Sequence, residues 1–172
     1  MSYRRILVAI DRSPQSDIVF EQALKLAKQF SAALMVFHCL PIETPGAGYY
    51  GDMFGREFID FSHQVQEQMR QEREDAFNWL ASYGQKATAA GVPTEWDLKT
   101  GDAGGKIREI ANSWNADLII VGRRGRQGLA EMLLGSVSNY VIHHATCCVL
   151  VVQGISQQTD DVPVSVAQTV SE

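Results

Sequence analysis

The chain has 172 residues, 45% of them apolar, and a formal net charge of −5 at neutral pH. That length and apolar share suit one α/β domain with a substantial core and room for a tail. The negative balance argues against a general nucleic-acid or anionic-membrane binder, whose electrostatic footprint is basic.

"RRILVAI" (Arg4–Ile10) is a continuous apolar run, the mark of a strand buried on both faces. Its apolar part is too short for a signal-peptide core, and Asp11 closes it. Ser13 and Pro14 read as N-cap and first-turn proline. Val19, Ala23, Leu26, Ala27 and Phe30 follow at helical spacing and predict an amphipathic helix over 14–30. "ALMVFHCL" (Ala33–Leu40) predicts a second buried strand, stopped by Pro41. Residues 41–57, "PIETPGAGYYGDMFGRE", form a Pro/Gly-rich loop long enough to be either functional or mobile.

A long polar helix is predicted from about Phe58 to Ala90, with Phe58, Phe61, Val65, Ala76, Leu80 and Tyr83 on its inner face. Arg70 and Glu74 pair on its wet side, and Gly84 weakens its last turns. Gly91 ends it. Val92, Thr94, Trp96 and Leu98 then alternate as a strand with one more exposed face. Asp102 is placed to cap a helix whose inner face is Ile107, Ile110, Ala111 and Trp114. "DLIIVG" (Asp117–Gly122) predicts a buried strand, Ser136–His144 a short helix, and "CCVLVV" (Cys147–Val152) the last strand. Residues 1–152 are thus read as the folded domain. Residues 153–172, polar and without pattern, are read as a disordered tail.

The three cysteines, Cys39, Cys147 and Cys148, all lie in apolar strand-like runs. They read as buried thiols in a reducing cytosol, hence a cytoplasmic protein. No apolar stretch approaches membrane-spanning length.

Strands alternating with helices predict a doubly wound parallel sheet with helices on both faces. Such an order sets the first strand beside the fourth, where the sheet reverses direction. Ligands bind outside the carboxyl ends of strands at that switch point. The loops there begin at Asp11 and Gly122. After Gly122 come Arg123, Arg124, Gly125 and Arg126, and then Gly135 and Ser136 open a helix. The glycines allow close approach of main-chain amides to a ligand. The unpaired amides and the positive dipole end of that helix make an anion site, with Ser136 and Val137 as candidate binding residues and Ser138, a little further on, a weaker one than Ser136. The Ser136 hydroxyl adds a donor, or helps hold a metal ion that itself sits on phosphate; the protein alone offers no metal site. Asp11 is placed either to accept from ribose hydroxyls or to cap the helix that follows it.

Two glycine-rich stretches are decoys. "GAGYYG" (Gly46–Gly51) matches a dinucleotide fingerprint literally, but no strand leads directly into it and no helix opens at its last glycine. "GDAGGKI" imitates a phosphate loop, but Thr100 stands where the first glycine would be needed. His38 reads as a core histidine. His143 and His144 lack metal-ligand spacing. No nucleophile elbow or spaced acid–base pair of carboxylates is present.

Gly122-x2-Gly125-x9-Gly135-Ser136, with "RRILVAIDRSPQS", "MVFHCL", "ADLIIVGRRGRQG" and "LLGSVSNYVIHHATCCVLVV", resembles the universal stress protein family, specifically its ATP-binding branch. The resemblance covers residues 3–152. It implies a Rossmann-like five-stranded parallel sheet of order 3-2-1-4-5, with an adenine nucleotide between strands one and four: ATP, or AMP or ADP, with Mg2+ able to join through the phosphates. Asp11 matches the family's ribose-contacting acid. Cys39 stands where the second-strand backbone meets adenine. Val121 and Gly122 flank the nucleotide, and Gly125, Gly135 and Ser136 hold phosphates. Ala103 replaces a proline common in the family, at a helix start outside the nucleotide site. The family also implies homodimers, and through them tetramers, paired through the last strand, Cys147–Val152. That agrees with the need to cover an apolar edge.

Phosphoryl transfer needs an in-line nucleophile, neutralised charge and exclusion of water. Phosphate-holding groups are legible here, but no general base or Walker-type carboxylate is. The favoured reading is therefore a nucleotide-responsive dimeric stress or signalling protein, with slow ATP hydrolysis at most. A slow ATPase or a phosphotransfer or adenylating enzyme of similar fold, and a dimeric scaffold with structural nucleotide, remain as alternatives.

Overall fold

The computed structural model describes residues 2–42, 56–123 and 134–153, without the side chains of 56–62. Nine elements follow one another among these residues: β1 (Arg5–Ala9), α1 (Ser16–Phe30), β2 (Ala33–Leu40), α2 (Arg56–Ala89), β3 (Thr94–Thr100), α3 (Ala103–Ser113), β4 (Leu118–Gly122), α4 (Ser136–His144) and β5 (Cys148–Val152). The strands make one parallel sheet in the order β3-β2-β1-β4-β5, as the strand–helix alternation and the family resemblance predict.

β1 lies at the centre, with Leu7 beside Met35 of β2 and Ile119 of β4. The period of two in a strand sends Ile6, Val8, Val36 and Ile120 to one face and Leu7, Phe37, Ile119 and Val121 to the other. The first face buries Phe20 of α1 and Leu80 of α2. The second buries Ile107 of α3 and Val141 of α4. Both faces are covered, so β1 and β4 are apolar runs rather than alternating ones. Each fully buried Leu, Ile or Phe contributes roughly 1.5–3 kcal/mol.

Several sequence expectations change. α1 starts at Ser16 rather than at Pro14, with Gln15 as its N-cap and no side-chain capping bond. Ser13 instead uses its carbonyl, which accepts from the Ser16 amide at 3.1 Å. α2 reaches back to Arg56, into the stretch read as loop. Gly84 is more than a weak point in α2. A Cβ there would lie 2.2 Å from Trp96 Cε3, so glycine is what lets α2 and β3 approach. Gly91 does end the helix region, at φ +83. Arg70 pairs with Glu74 at 2.5 Å as predicted, and with Glu67 as well.

The cysteines are less buried than their apolar neighbours suggest. Cys148 is exposed and Cys39 and Cys147 are half-buried. β5 is an edge strand, so its apolar pattern faces a core on one side only; Leu150 is 38% exposed. The "GAGYYG" stretch, most of the 41–57 loop and the tail beyond Gln153 lie outside the described residues. No helix among the described residues is long and apolar enough to cross a membrane.

Candidate functional site

The chain leaves β1 for α1 on one face of the sheet and leaves β4 for α4 on the other. The two departures open a crevice at the carboxyl ends of the strands, the switch point of this topology. A cleft of about 770 Å³ occupies it. That is within the range of small-molecule and cofactor sites, ~300–1,000 Å³. Its walls come from Ala9–Asp11 after β1, Phe37–Cys39 of β2, Val121 and Gly122 of β4, Gly101–Ala103 before α3, and Leu134–Ser138 leading into α4.

One side is the start of α4. Gly135 is its N-cap, in extended conformation, with no side-chain capping bond. The Gly135 carbonyl accepts from the Asn139 amide at 2.9 Å, which starts the helix ladder. The amides of Ser136, Val137 and Ser138 precede that ladder and find no partner among the described residues. All three residues line the cleft. Three donors without a partner among the described residues, at the positive end of a helix dipole, form an anion-binding arrangement.

Hydrogen bonds hold that helix start in place. The Gly135 amide donates to the Arg123 carbonyl at 2.8 Å, and the Arg123 amide donates to the Val152 carbonyl at 2.8 Å. The buried Ser138 hydroxyl donates to the Gly122 carbonyl at 2.5 Å. So Gly135 serves as the cap and as a tie to β4, and its amide is not open to a ligand. The Ser138 side chain is a clamp; only its amide faces the role expected of it. The Ser136 hydroxyl is exposed at the helix tip.

Opposite stands Asp11, half-buried on the cleft wall. Its Oδ1 accepts from the Ser13 amide at 3.0 Å and from the Ser16 hydroxyl at 3.1 Å. The Ser16 hydroxyl also bonds the Asp11 carbonyl. The carboxylate thus orders the turn before α1 while it borders the cleft, and it does not cap the helix itself. A carboxylate has about four acceptor positions, enough for a turn and a ligand hydroxyl together.

At the floor, His38 is buried, with Nδ1 2.8 Å from the Ile10 carbonyl and its ring edge-on to Trp79. It is a packed core histidine whose wall borders the cleft. Cys39 Sγ lies 3.5 Å from the Gly101 carbonyl, to which the thiol donates. Burial pushes this thiol's pKa up, and the nearby Asp102 charge adds to that, so it is a poor nucleophile. Among the described residues no group of three or more His, Cys, Asp or Glu could hold a metal ion.

Of the residues singled out in the sequence, Asp11, Cys39, Val121, Gly122, Gly135, Ser136, Val137 and Ser138 all border this one cleft. Arg123 is half-buried and acts through its backbone, outside the cleft wall. Gly125 and Arg126 lie outside the described residues. Ala103 requires a correction: it stands on the cleft wall, because the N-terminus of α3 comes up beside β2. Ile107, one turn further, also lines the cleft. It reads as plain core in the sequence, and no local signal distinguishes it.

The chain matches the model of the universal stress protein family over residues 2–153. It is 45% identical over 153 residues to universal stress protein Sll1388 of Synechocystis, covering 89% of this chain and 99% of that one. The fold is similar to that of universal stress protein UspA from Lactobacillus plantarum, with a TM-score of 0.68 at 21% identity, over 88% of this chain and 99% of the other. It is also similar to a universal stress protein solved in complex with cAMP, with a TM-score of 0.62 at 23% identity, over 89% and 98%. The sheet order, the sequence matches and the family model agree, and this chain belongs to the universal stress protein family.

Proposed function

We propose that the protein binds an adenine nucleotide, ATP or AMP, in this cleft and acts as a nucleotide-responsive dimeric stress or signalling protein. The observation that carries the reading is the trio of amides at Ser136–Ser138, without a partner among the described residues, on residues that line the cleft and are anchored to β4 by the Ser138–Gly122 bond. Phosphates sit against these amides; the Ser136 hydroxyl adds a donor, and Mg2+ joins through the phosphates. Ribose hydroxyls donate to Asp11, and the base lies along the β2 end near Cys39. Gly125 belongs to the family pattern for phosphate binding, and Arg126 brings positive charge to the same stretch of sequence. The cAMP complex of a related fold supports an adenine nucleotide as occupant.

Dimerisation is proposed through β5. Cys148 and Leu150 point outward from an edge strand, and Ile142 of α4 is 41% exposed nearby in sequence. An uncovered apolar edge of this kind is a pairing surface.

Native mass spectrometry of freshly purified protein tests both parts. The expected result is a dimer, or a dimer of dimers, carrying the mass of an adenine nucleotide or acquiring it on addition of ATP. A monomer that takes up neither ATP nor AMP at millimolar concentration contradicts the proposal.

A further inference from the structure

"GDAGGKI" is not a phosphate loop, and the structure gives its glycines another purpose. Gly105 accommodates the α3 cap: its amide donates to Asp102 Oδ2 at 2.7 Å. Gly104 is buried in the first turn of α3 and faces Tyr140 of α4. A Cβ on Gly104 would lie 2.6 Å from Tyr140 Cδ1, 2.8 Å from Cγ and 3.1 Å from Cβ. These are atoms near the root of the side chain, so a rotamer change cannot clear all of them. The ring is also held by a neighbour on its own helix. It stacks on His144 at 4.1 Å and 14°, and His144 Nδ1 lies 2.8 Å from the Tyr140 carbonyl.

Tyr140 sits one turn beyond the amides that open onto the cleft. A methyl group at position 104 would therefore displace α4 as a body, away from α3. The ties at its start, Ser138 to Gly122 and Gly135 to Arg123, are set for its present position. Moving α4 weakens those ties and shifts the three amides relative to Ala103 and Asp11 across the cleft.

We infer that Gly104 is a positioning residue for the anion-binding end of α4: the missing side chain at 104 seats Tyr140 and so fixes the Ser136–Ser138 amides against the cleft. This rests on the nucleotide reading above for its ligand, though not for its geometry. Gly84, which fits against Trp96 on the other face of the sheet, provides a glycine of purely structural consequence for comparison.

The test uses the full chain and four variants, Gly104→Ala, Tyr140→Ala, Gly104→Ala/Tyr140→Ala and Gly84→Ala. ATP and AMP affinities are measured by calorimetry at a temperature where each is folded. Amide hydrogen exchange of residues 136–144 is measured without nucleotide. Gly104→Ala is expected to weaken ATP by about tenfold or more, since hydrogen bonds lose strength steeply with misalignment, and to speed exchange across α4. Tyr140→Ala in the same chain restores affinity to within about threefold and slows exchange again, because only a Cβ then remains opposite the added methyl. Gly84→Ala lowers stability and leaves the affinity of the folded protein unchanged. ATP affinity unaltered by Gly104→Ala, or lost without rescue, or lost equally in Gly84→Ala, overturns the inference. If the unmodified protein binds neither ATP nor AMP, the nucleotide reading falls. Exchange then decides alone: faster exchange in Gly104→Ala, reversed by Tyr140→Ala, supports the seating, and unchanged exchange overturns it.

Discussion

The Ser138 hydroxyl donates to the Gly122 carbonyl at 2.5 Å, joining the first turn of α4 to the last residue of β4. Among the described residues this contact crosses the segment between the two elements, whatever path residues 124–133 take. Its removal leaves a half-buried carbonyl without this donor and loosens the helix start. Ser138→Ala is expected to cost about 1 kcal/mol in urea denaturation, the net worth of a typical hydrogen bond. A loss below about 0.5 kcal/mol would mean that water or another donor replaces the hydroxyl.

Ser136 differs from its neighbour two residues on, because its side chain is exposed. Ser136→Ala is expected to leave stability within about 0.5 kcal/mol. ATP affinity should fall about three- to tenfold, the equivalent of one hydrogen bond, while adenosine affinity stays the same. Equal effects on ATP and adenosine would place the hydroxyl away from the phosphates.

Asp11 serves both the α1 turn and the cleft wall. Asp11→Ala is expected to destabilise the fold by about 1–2 kcal/mol, through the two hydrogen bonds that Ser13 and Ser16 lose. It should also lose the advantage of adenosine over free adenine, measured by competition. Asp11→Asn keeps an acceptor for the turn and should recover most of the stability. If adenosine keeps its advantage in Asp11→Ala, the ribose lies elsewhere.

The thiols should separate by environment. Burial raises the pKa of Cys39 and of Cys147, each helped by a nearby negative group. A raised thiol pKa lowers the thiolate fraction at neutral pH, and the thiolate is the reactive form. Alkylation of Cys39 and Cys147, followed by mass spectrometry, should be slow at pH 7. Its rate should keep climbing beyond the pH at which an unhindered thiol levels off. Exposed Cys148 should react first in monomeric protein. Bound ATP should slow Cys39 alone, since only that thiol lines the cleft. Protection of Cys147 and not Cys39 would move the nucleotide out of this site.

Leu150 tests the pairing of subunits. Its side chain is 38% exposed in the single chain, so Leu150→Arg removes little core. Sedimentation should show a concentration-dependent dimer that the substitution shifts to monomer. A dimer untouched by Leu150→Arg would require another surface.

The linear order of residues was enough to determine the sheet. The runs at Arg5–Ala9, Ala33–Leu40 and Leu118–Gly122 are apolar without alternation because both faces of a central parallel strand are covered. Gly135 and Ser136 announced the start of α4 through local rules of helix ends, which depend only on neighbouring residues. Other features depend on which distant side chain arrives. Gly84 and Gly104 look like weak helix positions until Trp96 and Tyr140 pack against them. Ser138 looks like another phosphate donor until its hydroxyl donates to the Gly122 carbonyl instead. Ala103 and Ile107 become cleft wall only because α3 ends up beside β2. Backbone propensity and burial period are written in short windows of sequence, whereas close contacts and competition for a single proton exist only once the elements have docked.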